Sequence, residues 1–366
     1  MRILLVVTGL QLGGAERQVV DLADRLAARG HQVAIAYMVG EATQRPADPA
    51  ISVYPLLCRK SALGMLGGAL RLVRLVWRWR PDVVHSHMVH ANLFARLLRP
   101  FAPMRRLVCT AHNTVEGGRG VTVAYRLTDF LASVSTNVSR EAVEVFERIG
   151  AVRKGRMLAV LNGIDTQRFS DHAELRIEAR RRLFPKLRGR LIVSVGRLAE
   201  QKNHAGLLRV FAGVLQTLPE TELWIAGDGP LREALTRQVA DLGLQDHVSL
   251  LGARQDVPDL MRAADVFALS SRFEGFGLVV AEAMASGTPV VATDAGGVAE
   301  VMNGIGYLVP VGDEAALCDG LIQALSMTPE QHAEIARAAR RHVETHLDIE
   351  RTVDTWLRIY DGDYRC

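Results

Sequence analysis

Twelve short apolar runs pace this chain from end to end, each followed by a glycine-bearing or polar turn and then a longer amphipathic stretch. In the first half they are RILLVVTG (2–9), HQVAIAYM (31–38), DVVHSHM (82–88), LVCTAH (107–112), LASVS (131–135) and MLAVLNG (157–163). In the second they are LIVSVGRL (191–198), ELWIAGDG (222–229), HVSLLG (247–252), DVFALSS (265–271), TPVVATD (288–294) and GYLVP (306–310). Strands that are apolar at nearly every position are buried on both faces, and strands that alternate with helices pair in parallel. The rhythm therefore predicts an α/β chain with two parallel sheets, each covered by helices on both sides.

The 366 residues are too many for one ordinary core and suit two domains. Residues 169–189 are highly charged and contain no strand, which places the junction there. The expected division is a first Rossmann-like domain over 1–170, a linker over 171–189, and a second Rossmann-like domain over 190–345. A final helix within 346–366 is expected to pack back on the first domain. No run of eighteen or more apolar residues is free of charge, and the N-terminal MRILLVVTGLQLGG reads as a strand entering a loop rather than a signal peptide. Cys58, Cys109, Cys318 and Cys366 are far apart and form no CxxC pair, so they read as reduced thiols of a cytoplasmic protein.

The net charge of +4 hides an asymmetry: residues 1–180 carry a balance of +10 and residues 181–366 a balance of −6. The basic half implies an anionic partner such as a phosphate-bearing acceptor or a membrane surface. Nucleic acid is the weaker candidate and none is expected, because no basic stripe carries interleaved aromatics for base stacking. Only four of the 44 cations are lysines, namely Lys60, Lys154, Lys186 and Lys202, so a lysine inside a motif is informative.

Ligands of open parallel sheets bind beyond the carboxyl ends of the strands, and polar residues at those ends are the candidates. The strongest segment is SSRFEGFGLVVAEAMASGTPVVATDAGGVAE (270–300). There Glu274 precedes a glycine-rich turn and Glu282 lies on the helix expected to open near Gly277 or Leu278, whose first amides form an anion site. Glu282 can accept from vicinal hydroxyls such as those of ribose, and Glu274 from a second polyol. The alternative is a pair of helix-end carboxylates in favourable dipole positions. In VGRLAEQKNH (195–204), Arg197 and Lys202 follow a strand end and can neutralise a diphosphate. In TGLQLGGAER (8–17), Gly13 and Gly14 permit close approach of backbone to phosphate or sugar, although GxGxxG is absent. His87 and His112 end strands, and His112 is the better candidate to hydrogen-bond a sugar. His85, by alternation with His87, is expected to point elsewhere. The HSH sequence (85–87) lacks further ligands and the terminal DGD (361–363) follows a helix rather than a strand, so no metal site is expected.

With these residues in place the sequence resembles, over nearly its whole length, the family-4 retaining glycosyltransferases of the GT-B fold that build bacterial cell-surface polysaccharide and lipid glycans. The matching segments are GGAER (13–17), TAHN (110–113), NGID (162–165) with Phe169, VGRL (195–198) with Lys202, IAGDGP (225–230), LLG (250–252) and the run from Glu274 to Glu300. EGFGLVVAEAMASGTPVVAT (274–293) is the most specific of these. The resemblance implies two domains facing a central cleft. It further implies that Arg197 and Lys202 bind a donor diphosphate, Glu282 its ribose, Glu274 and His112 the transferred sugar, and the Gly277 and Leu278 amides a phosphate. Gly13 and Gly14 would approach the donor, and its base would rest near Gly252 and Arg254. EQKNH (200–204) departs from the Lys-Gly common in the family, yet Asn203 should still open a helix.

The implied reaction moves a hexose or N-acetylhexosamine from a nucleoside-diphosphate sugar, with UDP assumed, to a glycan or lipid-linked hydroxyl, with retention and without a metal or other cofactor. The alternatives are a nucleotide-sugar epimerase on the same fold and a non-catalytic nucleotide-sugar-binding subunit. Finally, residues 59–80 (RKSALGMLGGALRLVRLVWRWR) set Arg71, Arg74 and Arg78 beside Leu70, Val73 and Trp77 at helical spacing. That is the pattern of a helix lying on an anionic membrane surface, here the cytoplasmic face of an inner membrane, or of a surface helix facing its own core.

Overall fold

The computed structural model describes residues 1–11, 13–114, 118–184 and 189–364. The chain divides into two compact units, Met1–Gly163 with Ile349–Cys366, and Ile164–Asp348.

The first unit begins β1 (Arg2–Val7), α1 (Gly14–Ala28), β2 (Gln32–Tyr37), β3 (Ser52–Pro55), α2 (Ala62–Trp79), β4 (Val83–His87) and α3 (Val89–Leu98). It continues with β5 (Arg106–Ala111), α4 (Arg119–Thr128), β6 (Val134–Asn137), α5 (Arg140–Arg148) and β7 (Met157–Ala159). The strands form one parallel sheet in the order β3-β2-β1-β4-β5-β6-β7. Central β1 shows why its sequence is apolar throughout. Ile3, Leu5 and Val7 join a core with Val19, Val20 and Ala23 of α1. Leu4 and Val6 join a second core with Leu72 and Val76 of α2 and Phe94 of α3. Successive side chains point to opposite faces, so both faces demand apolar residues. The edge strand β3 has no apolar run and three of its four residues are exposed, which is why hydrophobic patterning overlooks it. Its Pro55 is tolerated at an edge, where no further strand needs its missing N–H.

The second unit comprises α6 (Ala173–Leu183), β8 (Arg190–Val195), α7 (His204–Thr217), β9 (Thr221–Ala226), α8 (Arg232–Asp241), β10 (Val248–Gly252) and α9 (Val257–Ala263). There follow β11 (Val266–Leu269), α10 (Leu278–Ala285), β12 (Val290–Thr293), α11 (Val298–Met302), β13 (Tyr307–Val309), α12 (Glu314–Leu325) and α13 (Pro329–His346). Its parallel sheet runs β10-β9-β8-β11-β12-β13. The charged stretch expected as a linker over 171–189 is, across its described part, a working piece of this unit. Arg176 Nη2 and Arg180 Nη1 of α6 donate to Asp265 Oδ1 at 3.0 and 2.8 Å, and Asp265 Oδ2 accepts from the Leu191 amide at 2.8 Å. Charges that suggested a linker are thus engaged within the unit, Arg176 and Arg180 on the buried Asp265 and Arg182 on Asp259. The passages between units fall instead at Gly163/Ile164 and Asp348/Ile349.

After the second unit the chain returns as α14 (Ile349–Asp361), which belongs to the first. Its buried residues Ile349, Val353, Trp356, Ile359 and Tyr360 recur at helical spacing and complete the core beneath α1. At the rim Arg29, which caps the end of α1, pairs with Glu350 at 2.6 Å and with Asp354. Gly163 fits this return closely, because a Cβ there would lie 2.5 Å from the Ile349 Cα. Cys58, Cys109 and Cys318 are free thiols, and Cys366, like Lys186, lies outside the described residues.

Candidate functional site

In the second unit, three strand ends converge because glycine lets them. Gly227, just after β9, has φ 144°, and a Cβ there would stand 1.9 Å from the Gly196 carbonyl oxygen. Its amide donates to the carbonyl of Gly252, the last residue of β10, at 2.8 Å. Lys202 lies over Gly196, whose Cβ would meet Lys202 Cδ at 3.3 Å. A short turn over Glu200–Lys202 ends at Asn203, which takes a left-handed φ of 50° and starts α7. That turn carries Lys202 to the loop after β11, where its Nζ donates to Glu274 Oε1 at 2.6 Å. Ser271 Oγ donates to the same oxygen at 2.6 Å, and Glu274 is only 6% exposed.

The loop is stitched down on several sides. Ser270 Oγ donates to the Lys202 carbonyl at 2.9 Å, the Arg272 amide to the Gln201 carbonyl at 2.8 Å, and Thr293 Oγ1 to the Ser271 carbonyl at 2.6 Å. A carboxylate so fixed can receive sugar hydroxyls without reorganising. Arg197 is exposed and makes no ion pair among the described residues, so its planar fork is open to an anion. α10 opens as expected: Gly277 is its N-cap at φ 87°, Leu278 its first residue, and the first intrahelical bonds start from the Val280 and Ala281 amides to the Gly277 carbonyl. The amides before them are those a helix leaves for an anion. Glu282 lies half-buried one turn on. Arg254, expected with Gly252 beside the donor's base, pairs with Asp256 two residues on. Its Nε and Nη2 are bound by Asp256 at 2.8 and 2.5 Å, which raises the Arg254 pKa and holds the Asp256 carboxyl below its usual range.

In the first unit, His87 ends β4 and His112 follows β5 directly. His87 Nδ1 lies 3.1 Å from His112 Nε2. His85 does not point elsewhere: residues two apart on a strand share a face, and the His85 and His87 rings are 3.9 Å apart. Both nitrogens of His85 are used, Nδ1 with the Tyr360 hydroxyl at 2.7 Å and Nε2 with Thr110 Oγ1 at 2.6 Å. Burial holds all three imidazoles neutral, with the pKa of His112 lowered to about 4. Gln18, His87, Thr110, His112, Asn162 and Trp356 line a cavity of about 20 Å³, room for one water. Gly13 is the extended N-cap of α1, with the Glu16 carboxylate folded over it, and Gly14 is the first residue of that helix.

Sequence reasoning placed Ser271 inside its strongest segment without giving it a role, and it missed Gln201 and Tyr360. The strand-end position of Ser271 was the signal that singled out its segment, whereas Tyr360 joins His85 across 275 positions and left none. Among the described residues no group of three or more His, Cys, Asp or Glu could hold a metal ion.

Residues 12–168 match the family described as Glycosyltransferase Family 4, and residues 176–342 match Glycosyl transferases group 1. The chain is similar to the lipopolysaccharide core biosynthesis glycosyltransferase LpsD of Rhizobium meliloti (strain 1021), at 24% identity over 351 residues and 95% of each chain. It is also similar to the UDP-Gal:alpha-D-GlcNAc-diphosphoundecaprenol alpha-1,3-galactosyltransferase of Escherichia coli, at 24% identity over 84% of this chain and 82% of that one. Among solved structures, Anabaena Alr3699/HepE in complex with UDP and glucose superposes with a TM-score of 0.85 at 23% identity, covering 99% of this chain and 100% of that one. At that identity the likeness speaks to the fold.

Proposed function

Because this chain is a glycosyltransferase of the GT-B fold, homologous to family 4 and group 1 enzymes, we propose that it transfers a hexose or N-acetylhexosamine from a nucleoside-diphosphate sugar to a glycan or lipid-linked hydroxyl with retention of configuration. The observation that carries this reading is the Lys202–Glu274 pair at 2.6 Å, set over Gly196 at the carboxyl edge of the second sheet. It joins a phosphate-binding cation to a hydroxyl-accepting carboxylate in one constellation. UDP as the nucleotide is supported by the UDP-sugar in the name of the E. coli relative and the UDP bound to the Anabaena protein. Cell-surface glycan synthesis is supported by the name of the Rhizobium relative.

The sugar's anomeric carbon exchanges its bond to the diphosphate oxygen for one to the acceptor oxygen. In a same-face route the departing phosphate oxygen takes the acceptor's proton, so no protein base is required. Arg197, Lys202 and the α10 amides stabilise the charge that grows on the diphosphate. Glu282 holds the ribose, and Glu274 and His112 hold the transferred sugar. A screen of nucleoside-diphosphate sugars that reports released nucleotide, with product anomers assigned by NMR, tests this. Acceptor-dependent release and an α-linked product from an α-linked donor are expected. Epimerised donor without acceptor would replace the reading with an epimerase, and binding without either product would leave a sugar-nucleotide-binding subunit.

A second reading concerns where the enzyme works. Residues 49–128 contain twelve Lys and Arg against two acidic residues, Asp82 and Glu116. On α2 the core takes Leu72 and Val76, while Leu63 is 83%, Leu66 56%, Leu70 46% and Trp77 56% exposed beside Arg71, Arg74 and Arg78. The expectation of a helix facing its own core thus holds for one face, and the other face carries an exposed apolar stripe beside arginines. No helix among the described residues is long and apolar enough to cross a membrane. An apolar stripe flanked by arginines supports peripheral attachment to anionic lipid, at the cytoplasmic face of the inner membrane.

A further inference from the structure

Two arginines flank the end of β10, and they differ in what they have left to offer. Arg254, two residues past Gly252, spends its Nε and Nη2 on the Asp256 carboxylate. Arg232, the first residue of α8, reaches the same strand end along another path. Its Nη2 donates to the Leu250 carbonyl at 3.3 Å, and its Nη1 lies 3.4 Å from where a Cβ of Gly252 would stand. Asp228 Oδ1 is 4.0 Å from that Nη1, and the two side chains are 43% and 60% exposed. An ion pair so long and so wet holds Arg232 weakly. The floor beneath the guanidinium is bare backbone. Gly252 closes β10 at φ 71° with no Cβ to keep Arg232 off it, and its carbonyl accepts from the Gly227 amide at 2.8 Å. Gly227 in turn packs on Gly196, beneath Lys202. Strands β10, β9 and β8 are consecutive in the sheet, so a spacing of about 4.8 Å puts the end of β10 about 10 Å from that of β8. A ribose can bridge that span, between a phosphate at Lys202 and a base at Gly252.

We propose that Arg232 selects the donor's nucleobase, favouring a base with a ring carbonyl, uracil or guanine, over one with an amino group in its place. This rests on the reading above that a nucleoside diphosphate binds at Arg197 and Lys202. A guanidinium carries five N–H donors and no acceptor, and the bond to Leu250 uses one of them. Uracil presents O4 where cytosine, a ring of the same size, presents an amino group. Facing Arg232, the oxygen accepts, whereas the amino group sets donor against donor. Guanine O6 and the adenine amino group repeat the contrast in a larger ring. Since Arg254 is held by Asp256, the donation falls to Arg232.

Isothermal titration calorimetry of the full-length protein with UDP, CDP, GDP, ADP and inorganic pyrophosphate, without acceptor, tests this. The wild type should bind UDP at least about tenfold more tightly than CDP. Arg232→Met should bring the two within about threefold by weakening UDP, and should leave pyrophosphate unchanged. Arg232→Gln, whose amide both donates and accepts, should lose the preference while keeping a polar contact to either base. Both variants replace a half-exposed side chain, and their melting temperatures should match the wild type. A wild-type preference for GDP over ADP, erased in the same variants, keeps selection by a carbonyl and names guanine as the base. A wild type with no preference in either pair, or a preference that persists in both variants, overturns the proposal. Equal loss for every nucleotide and for pyrophosphate overturns it too, being the mark of a general cation. Selective binding by a protein that transfers no sugar would sink the glycosyltransferase reading and leave the role of Arg232 standing. A wild type that binds none of the nucleotides overturns both.

Discussion

Lys202 and Glu274, 72 positions apart, meet at 2.6 Å with side chains only 18% and 8% exposed, so the cation proposed for the diphosphate is already committed to the carboxylate proposed for the sugar. A pair this enclosed is costly to break from one side, because the remaining charge loses its partner but not its burial. Under that proposal a diphosphate bound at Lys202 would share it with Glu274, tying the two halves of a donor to one another.

Lys202→Met or Glu274→Gln alone should each lower stability by about 2 kcal/mol, while the double variant should recover most of that loss. Activity should behave differently: Lys202→Met, Glu282→Ala and the double variant should each lose at least about tenfold in rate, or about 1.4 kcal/mol of transition-state stabilisation. Chemical denaturation and transfer kinetics on the same preparations separate the two effects. Near-native turnover in the double variant would remove the pair from the site.

Gly227→Ala should be among the most damaging small substitutions. Its Cβ would be driven within 1.9 Å of the Gly196 carbonyl oxygen, at a φ of 144° that alanine rarely adopts. A loss of about 3 kcal/mol or more is expected, from steric and conformational strain together. Differential scanning calorimetry against the wild type checks this, and an unchanged melting temperature would contradict the close approach.

Activity should persist in excess EDTA. Arg197, Lys202 and the first amides of α10 can carry the leaving-group charge that a divalent cation carries elsewhere. Loss of turnover on chelation, restored by magnesium or manganese, would assign that role to a metal.

Stability should fall as the solution is acidified below neutrality. Burial lowers the pKa of His112 from 6.5 to about 4, and does the same to His204. A lowered histidine pKa means that the unfolded chain binds the proton more tightly. The neutral folded state is thus fully favoured above about pH 6.5, and each such group loses about 3 kcal/mol by about pH 4. Melting temperatures measured from pH 7.5 to 4.5 should decline, and less steeply in His204→Phe. A flat profile would mean that the imidazoles are not enclosed as described.

Binding to liposomes should need anionic lipid, weaken with salt, and fall when Arg71, Arg74 and Arg78 become Ser, since each cation near such a surface contributes roughly 1 kcal/mol. Co-sedimentation measures it. Equal binding to neutral vesicles, or none to anionic ones, would leave α2 as a surface helix of the first unit.

The sequence alone determined the elements. Each of the twelve apolar runs overlaps a strand, although β6 extends two residues past the run at 131–135, because burial on both faces of a parallel sheet favours apolar residues and so writes itself into a short window. The opening of α10 at Gly277 and of α7 at Asn203 was legible for a similar reason, being set by local backbone conformation. β3 was not legible, since an edge strand with three exposed residues needs no apolar pattern. Tertiary structure decided the partners. Lys202 with Glu274, His87 with His112, Arg254 with Asp256, and Tyr360 of the returning α14 with His85 depend on loop paths, strand order and register. Even the apparent linker was settled this way, when Asp265 drew Arg176 and Arg180 into the second unit. Periodicity reports which face of an element is buried; which distant side chain waits on that face is set only when the elements pack.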